Sequence, residues 1–289
     1  MQPFRIWLLA ARPRTLPASL APLLLGNWLA YLDNTFFAGL MIASLVCAVA
    51  LQILVNFAND YFDALSGVDT DARIGPQRAT QSGLVSHGAM RLAMVLCALV
   101  AVASGLYLVV AGSVWLLPVG FCCLLAAYGY SGGPYPLASL GLGEVTVFLF
   151  FGLVAVCGSY FMHTGVVSTQ AWLGSFIAGL PIAAIMLVNN IRDIDTDSEA
   201  GKRTLPVRIG RTAAKWLYGI ALTLPLLFMM VKISEAYWWL GFLSVSIGLG
   251  FMLIKSMFQL APAQLNPLIG RTSLYSLWTA LLGCIYFSI

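Results

Sequence analysis

Charged residues are scarce in this chain of 289 residues: Asp, Glu, Lys and Arg make up 9% of it, whereas 60% is hydrophobic. A water-soluble domain contains about 25% charged residues, so this composition excludes an ordinary soluble protein. A helix that crosses a bilayer needs about 20 consecutive apolar residues. Nine such runs occur, at 15–33, 36–58, 91–111, 113–130, 144–163, 170–191, 213–232, 237–257 and 272–289. The sequence therefore predicts an all-α membrane protein with nine transmembrane helices.

Signatures of several other protein classes are also missing. The six cysteines lie inside predicted spans, and none has the CxxC spacing typical of metal sites or redox pairs. The nucleotide-binding pattern GxxxxGK[ST] is absent, so no nucleotide is indicated. No polar linker or low-complexity segment divides the chain, and we expect one membrane domain over residues 1–289.

The distribution of basic residues predicts the orientation in the membrane. With nine spans, fourteen of the 15 Lys and Arg residues lie on the side of the N-terminus or at span ends that face it, and only Lys232 lies opposite. Lys and Arg accumulate on the cytoplasmic side of membrane proteins. We therefore expect a multi-pass protein of the cytoplasmic (inner) membrane with a cytoplasmic N-terminus. The net charge of +4 reflects this orientation, and no nucleic-acid partner is indicated.

The few acidic residues are concentrated in two polar loops on the predicted cytoplasmic side. Eight of the 11 acids lie within about 59–88 or about 192–211. They are Asp60, Asp63, Asp69, Asp71, Asp193, Asp195, Asp197 and Glu199. Because carboxylates at a membrane surface repel one another and are costly to desolvate, two facing groups of four need counter-charge. The sequence therefore predicts a cation between these loops.

Where each of these loops follows its helix, an asparagine and two aspartates share one helical face, at about 100° per residue. The first set is Asn56, Asp60 and Asp63, and the second set is Asn190, Asp193 and Asp197. Mg²⁺ prefers oxygen ligands and is typically held by one or two carboxylates together with substrate phosphates. The asparagines can add neutral oxygen ligands or orient the carboxylates. This pattern predicts a magnesium site with the active site facing the cytoplasm.

Basic residues follow both acidic groups. Arg73 and Arg78 come after the first group, and Lys202, Arg203 and Arg208 come after the second. In such a site carboxylates hold the metal, the metal holds a diphosphate, and Arg or Lys binds the remaining phosphate oxygens. The simpler alternative is an acidic loop that is only solvated and paired with nearby arginines. Two matched groups on one side of the membrane favour the metal–diphosphate site.

These motifs resemble those of a known enzyme family. "NxxNDYxDxxxGxD" at 56–69 and "NNxRDxxxDxxxGKRT" at 189–204 are similar to the paired Asp motifs of the UbiA-type intramembrane aromatic prenyltransferases. The chain also contains "ARPRT" at 11–15 and "LGLGE" at 140–144. Within this family, "NDYFD" followed by "RIGPQR" at 73–78 is most similar to the branch that prenylates 1,4-dihydroxy-2-naphthoate in menaquinone synthesis.

The resemblance implies a helical bundle with a lateral opening to lipid and a Mg²⁺-dependent reaction. The implied substrates are a polyprenyl diphosphate and an aromatic acceptor, which in this branch loses its carboxylate as CO₂. The implied catalytic residues are Asp60, Asp63, Asp193 and Asp197. The implied metal ligands are Asn56, Asp60, Asp63, Asp69, Asn190, Asp193 and Asp197. Arg78, Lys202 and Arg192 are the implied diphosphate ligands, and Tyr130 is the implied contact of the carbocation.

Some residues have two interpretations from the sequence alone. Glu144 suits the positive end of the helix that it opens, and it equally suits a substrate contact. Arg12 and Arg14 suit headgroup anchoring or binding of the acceptor carboxylate. The loop at 130–139 contains no base, whereas some members of the family have a lysine there, so diphosphate contact from this loop is not expected.

Two other functions are compatible with a chain of this composition. One is the same chemistry on another acceptor, such as 4-hydroxybenzoate, homogentisate or a haem. The other is a membrane transporter, whose charged residues are expected near the bilayer midplane on interrupted helices. Here the acids gather at one interface, which favours the enzyme. The sequence carries no indication of oligomeric state.

Overall fold

The computed structural model describes residues 3–66, 78–231 and 238–289, and the regular structure within these ranges is entirely helical. The α-helices are α1 (Pro3–Ala11), α2 (Leu16–Leu32), α3 (Ala38–Ser66), α4 (His87–Ala111), α5 (Leu116–Gly129), α6 (Gly143–Val147), α7 (Ala155–Thr164), α8 (Thr169–Arg192), α9 (Ile194–Glu199), α10 (Leu205–Ile209), α11 (Arg211–Met229), α12 (Trp239–Gln259) and α13 (Asn266–Ser288). A π-helix at Phe148–Val154 joins α6 to α7. The predicted all-α class is confirmed.

Each of the nine predicted apolar segments overlaps a helix of the structure. In the described ranges, seven helical segments are long and apolar enough to cross a membrane: α3, α4, the continuous segment Gly143–Thr164, α8, α11, α12 and α13. The other two, α2 and α5, have 17 and 14 residues. At 1.5 Å per residue they measure about 26 Å and about 21 Å, less than the roughly 30 Å of a bilayer core.

The structure differs from expectation where the two acidic loops begin. The sequence predicts a loop from about Asn59, whereas α3 continues to Ser66. Polarity alone does not end a helix, and the residues near this end include Ala64, a strong helix former. The second acidic face, predicted on one helix, is divided, because α8 ends at Arg192 and Asp193 precedes α9 with φ −97° and ψ 9°.

The central helix of the bundle is α8. Of its most apolar stretch of 18 residues, 72% is buried inside the protein. Leu187 of α8 packs in one core cluster with Tyr218 of α11 and Tyr275 of α13. On another side of α8, a Cβ atom added to Gly179 would lie 2.6 Å from the Cα atom of Gly152 in the π-helix. Small residues permit such close approach of membrane helices. These contacts fix the carboxyl end of α8.

A separate cluster fixes the carboxyl end of α3. Leu54 and Phe57 of α3 pack against Met90 and Met94 of α4. Because α3 and α8 end on the same side of the bundle, their acidic termini lie close to each other, as the ion pairs below demonstrate.

Candidate active site at the ends of α3 and α8

Two acidic side chains from distant parts of the chain approach the same lysine. The Nζ atom of Lys202 lies 3.9 Å from Asp63 Oδ1 and 3.8 Å from Asp197 Oδ1. All three side chains are at most 19% exposed. Asp63 lies near the end of α3, and Asp197 lies in α9, just after α8. The structure therefore places a cation where the two carboxylates meet, and this position suits a metal ion.

Arg78 is a second cation beside Asp63. Its Nη2 atom lies 2.6 Å from Asp63 Oδ2, and the arginine is only 7% exposed. Asp63 thus has Lys202 near one carboxylate oxygen and Arg78 on the other. Two positive side chains therefore converge on one carboxylate, and groups of this kind can form strong charge-assisted hydrogen bonds to phosphate oxygens.

Asp60 has different surroundings from Asp63, although the sequence predicts the same role for both. Its Oδ2 atom accepts a hydrogen bond from the backbone N–H of Ala79 (2.9 Å), and its Oδ1 atom accepts one from Thr80 (2.8 Å). The residue is only 3% exposed. Asp60 therefore anchors the segment at residues 78–80, and this anchor holds Arg78 beside Asp63.

The first prediction concerns this anchor. Asp60→Asn is expected to lower the free energy of unfolding by about 1–3 kcal/mol, because the buried amide cannot accept both backbone hydrogen bonds. Thermal unfolding of the detergent-solubilised protein measures the change. Asp195→Asn is the matched control, because its carboxylate is 69% exposed and pairs with Arg211 at the surface. Equal stability of the two variants would contradict the anchoring role.

Arg192 and Asp193 form a tight pair at the end of α8. The Nε and Nη2 atoms of Arg192 donate to the two carboxylate oxygens of Asp193 at 2.7 and 2.5 Å. Its Nη1 atom donates to Asn266 Oδ1 at 2.6 Å, and the residue is only 2% exposed. The guanidinium therefore orients Asp193 and joins the end of α8 to the start of α13.

The two asparagines of the predicted metal site are oriented by contacts within the protein. Asn56 Nδ2 donates to the backbone carbonyl of Ala11 at 2.9 Å. Asn190 Nδ2 donates to Glu144 Oε1 at 2.8 Å. In each side chain the amide nitrogen is thus engaged, so the amide oxygen is the atom that can serve as a neutral metal ligand.

The donor set fits Mg²⁺ bound together with a phosphate. Within residues 3–66, 78–231 and 238–289, no three His, Cys, Asp or Glu side chains form a group that could hold a metal by themselves. Mg²⁺ does not require such a cage, because it usually keeps several waters and takes only one or two carboxylates plus substrate phosphates. Asp63 and Asp197 supply carboxylates of this kind around the ammonium of Lys202. Asp69, the remaining predicted ligand, lies outside the described residues, as does Arg73.

A cavity of about 430 Å³ begins beside residues of both Asp motifs, at Asn56 and Asn59 of the first and Asn189 of the second. Its polar end is formed by Arg12, Thr15, Gln52, Asn56, Asn59, Tyr130 and Asn189. Along α3 the lining extends from Asn59 to Ser44, a separation of 15 residues or about 22 Å. Most of this length is apolar, and Leu117 and Phe121 of α5 line it although they are also exposed on the surface of the bundle. The cavity can hold a long apolar chain with a polar head.

Tyr130 connects the acidic side chains to the cavity. It lines the cavity, is only 7% exposed, and its hydroxyl donates to the Sδ atom of Met186 at 3.3 Å. The hydroxyl also lies near Asn190 of the second Asp motif, because a Cβ atom added to Gly143 would be 3.1 Å from the hydroxyl oxygen of Tyr130 and 3.8 Å from Asn190 Nδ2. A cation that forms at the polar end of the cavity would therefore lie near both the aromatic ring and the second Asp motif.

Sequence reasoning missed several polar residues at this end of the cavity. Asn59 accepts a 2.5 Å hydrogen bond from Ser131, and Gln52 donates to Thr15 at 3.2 Å. Asn59 belongs to "NDYFD" and lies three residues after Asn56, a signal that the spacing rule could have used. Gln52 lies in an otherwise apolar run, and a polar residue inside a predicted span is itself a functional signal.

Comparison with known proteins identifies the family. The sequence model of the UbiA prenyltransferase family matches residues 19–267. A 1,4-dihydroxy-2-naphthoate octaprenyltransferase of Haemophilus influenzae is 33% identical over 94% of this chain and 92% of its own length. The enzyme of the same name from Mycobacterium tuberculosis is 39% identical over 75% of this chain and 74% of its own length.

The fold has a close match among solved structures. A UbiA homolog from Archaeoglobus fulgidus, bound to GPP and Mg²⁺, superposes with a TM-score of 0.67 over 98% of this chain and the whole of the other, at 15% identity. At that identity the likeness concerns the fold alone, while the family match and the relatives concern the sequence. The family model and the relatives decide the assignment. The chain belongs to the UbiA prenyltransferase family.

Proposed function

We propose that this protein transfers a polyprenyl group from a polyprenyl diphosphate to 1,4-dihydroxy-2-naphthoate, with Mg²⁺ as cofactor. The products are diphosphate, CO₂ and demethylmenaquinol, the two-electron-reduced form of demethylmenaquinone. The observation that carries the proposal is the approach of Asp63 and Asp197 to Lys202 near the polar end of a long apolar cavity. The names of the relatives from H. influenzae and M. tuberculosis support the choice of acceptor.

The proposed metal ligands are oxygen atoms from both Asp motifs. They are Asn56, Asp60, Asp63, Asp69, Asn190, Asp193 and Asp197. Within this set we assign the most direct role to Asp63 and Asp197, because both approach one cation. Both carboxylate oxygens of Asp60 accept backbone hydrogen bonds, and both of Asp193 accept hydrogen bonds from Arg192, so the contribution of these two residues includes positioning.

Arg78, Lys202 and Arg192 supply the positive charge for the donor diphosphate. Arg78 and Lys202 bind its oxygens and hold it above the polar end of the cavity. Arg192, whose donors contact Asp193 and Asn266, contributes through its charge and through the orientation of Asp193. Mg²⁺, when bound, neutralises the charge that develops on the leaving diphosphate.

The reaction breaks the C–O bond of the donor, whose electron pair leaves with diphosphate. The allylic cation that remains lies at the polar end of the cavity, where the aromatic ring of Tyr130 stabilises positive charge. The apolar cavity around its tail excludes water, which would otherwise capture the cation. The ring carbon that carries the carboxylate then donates an electron pair to form the new C–C bond. The bond from this carbon to the carboxylate breaks, its electron pair restores the aromatic ring, and CO₂ leaves.

We further propose that all nine apolar helices span the cytoplasmic membrane in one domain. The shorter helices α2 and α5 are accommodated by local thinning of the bilayer, which costs fractions of a kcal/mol per Å. The N-terminus and the active site face the cytoplasm, in accordance with the distribution of Lys and Arg. The exposed part of the cavity lining at Leu117 and Phe121 is the lateral opening through which the lipid substrate enters.

A panel of acceptors tests the proposed function. Purified protein receives one donor, octaprenyl diphosphate, with Mg²⁺ and in turn 1,4-dihydroxy-2-naphthoate, 4-hydroxybenzoate, homogentisate or haem. We expect prenylated product, diphosphate and CO₂ with the first acceptor only. Product from another acceptor would assign the protein to a different branch of the family. If no acceptor leads to release of diphosphate, the result would favour a transporter.

A further inference from the structure

Glycines inside the membrane helices of this protein fall into two groups. Some lie at close helix contacts: a Cβ atom added to Gly26 would lie 2.1 Å from Ser159 Oγ, and one added to Gly179 would lie 2.6 Å from Gly152 Cα. Others meet nothing within 4 Å, among them Gly105 in α4 and Gly158 in α7. Close packing thus explains the first group but not the second.

Gly105 and Gly158 both line the apolar cavity. A glycine in a helix interior costs about 0.5–1 kcal/mol relative to alanine, and in membrane helices close helix contact commonly compensates for it. Neither residue makes such a contact, and neither has a positive φ that would require glycine. What the missing side chains provide is space inside the cavity.

Both glycines lie far from the acidic end of the site. The first residue of α4, His87, is near that end, because its ring lies 5.7 Å from the ring of Tyr61, next to Asp60 in α3. Gly105 follows His87 by 18 residues, which corresponds to about 27 Å along α4. Gly158 follows Gly143 by 15 residues in one helical segment, or about 22 Å, and Gly143 lies at the polar end, where an added Cβ atom would be 3.1 Å from the hydroxyl oxygen of Tyr130. A donor whose diphosphate lies near Lys202 therefore reaches Gly105 only with the distal part of a long tail.

We propose that Gly105 and Gly158 determine the length of the isoprenoid tail that the cavity admits. The inference rests on the proposed prenyl transfer and extends it to the selection of the donor. A large side chain at either position fills the distal half of the cavity and leaves the acidic end and its immediate surroundings unchanged. Short donors remain substrates, and long donors are excluded.

The test compares two donors in three glycine variants. Geranyl diphosphate and octaprenyl diphosphate are each assayed with 1,4-dihydroxy-2-naphthoate in Gly105→Phe and Gly158→Leu. The control is Gly248→Phe in α12, where an added Cβ also meets nothing within 4 Å but the residue does not line the cavity. We expect kcat/KM for octaprenyl diphosphate to fall at least about tenfold in the cavity variants, and kcat/KM for geranyl diphosphate to stay within about twofold.

The outcomes separate this inference from the proposed function. Wild-type protein that fails to prenylate any acceptor refutes the proposed function itself. The inference is overturned if the wild type is active but kcat/KM changes by the same factor for both donors in Gly105→Phe and in Gly158→Leu. It is also overturned if kcat/KM changes for neither donor. A variant that does not fold is identified by size-exclusion chromatography, and the other variant then decides. The same selective loss in Gly248→Phe would also overturn the inference.

Discussion

Replacement of either Asp63 or Asp197 by asparagine is expected to reduce prenyl transfer by about a hundredfold to a thousandfold. Each substitution removes one negative charge from the pair that meets at Lys202. An amide is a weaker ligand for Mg²⁺ than a carboxylate, so less charge on the leaving diphosphate would be neutralised. The initial rate of demethylmenaquinol formation in detergent or nanodiscs measures the effect.

The double variant and a control sharpen this prediction. Both carboxylates act on one site. The rate of the double variant, Asp63→Asn with Asp197→Asn, should therefore fall by a factor far smaller than the product of the two single factors. Asp195→Asn, in the same helix as Asp197 but paired with Arg211 at the surface, should keep its activity within about twofold. Near-normal turnover of Asp63→Asn or Asp197→Asn in a correctly folded protein would refute the assigned role of that residue.

Removal of divalent metal is expected to have an equally large effect. Protein treated with EDTA should retain less than about a hundredth of its activity, because diphosphate is a poor leaving group until its charge is neutralised. Added Mg²⁺ should restore the rate. Ca²⁺ should restore less of it, since Ca²⁺ takes six to eight ligands at longer distances than the octahedral Mg²⁺ site.

Metal binding can also be measured without turnover. A ligand that binds only the folded state raises the unfolding temperature, so Mg²⁺ together with inorganic diphosphate should stabilise the protein more than either does alone. In Asp63→Asn this joint stabilisation should be lost, whereas in Asp195→Asn it should persist. Full activity in EDTA, or an identical shift in all three proteins, would contradict a shared metal–diphosphate site.

Much of the fold could be predicted because a bilayer imposes a simple requirement on sequence. Backbone groups in lipid must be hydrogen-bonded within the protein, so a run of about 20 apolar residues has helix as its favoured structure. All nine predicted segments overlap helices, and the family resemblance was confirmed by comparison. The helix ends were less predictable: α3 continues through the polar residues after Asn59 to Ser66, because helix propensity and tertiary contacts decide where a helix ends.

The candidate site was only partly accessible to sequence reasoning. The residue types and their helical spacing indicated two acidic groups, and both Asp63 and Asp197 belong to them. The spacing could not distinguish Asp63 from Asp60, which lies three residues earlier on the same face. Their roles differ because the chain returns at residues 78–80, where it places two backbone N–H groups on Asp60 and a guanidinium on Asp63.

Two arginines and two glycines also have roles that their sequence positions do not distinguish. Arg78 and Arg192 are alike in sequence, but Arg192 contacts Asp193 and Asn266, whereas Arg78 contacts Asp63 near the end of α3. Gly105 and Gly179 are both glycines in apolar helices. One borders open space in the cavity, and the other allows a helix contact.

By itself, the sequence determined that this protein is helical and membrane-embedded, that its acids form two groups, and which family its motifs resemble. These properties follow from composition and short-range spacing, which are local. The tertiary structure alone decided which acids meet at Lys202, which carboxylate anchors the chain, and where a long apolar cavity begins and ends. These features arise between helices that are distant in sequence, and their geometry depends on how side chains pack across the interfaces, which no local pattern encodes.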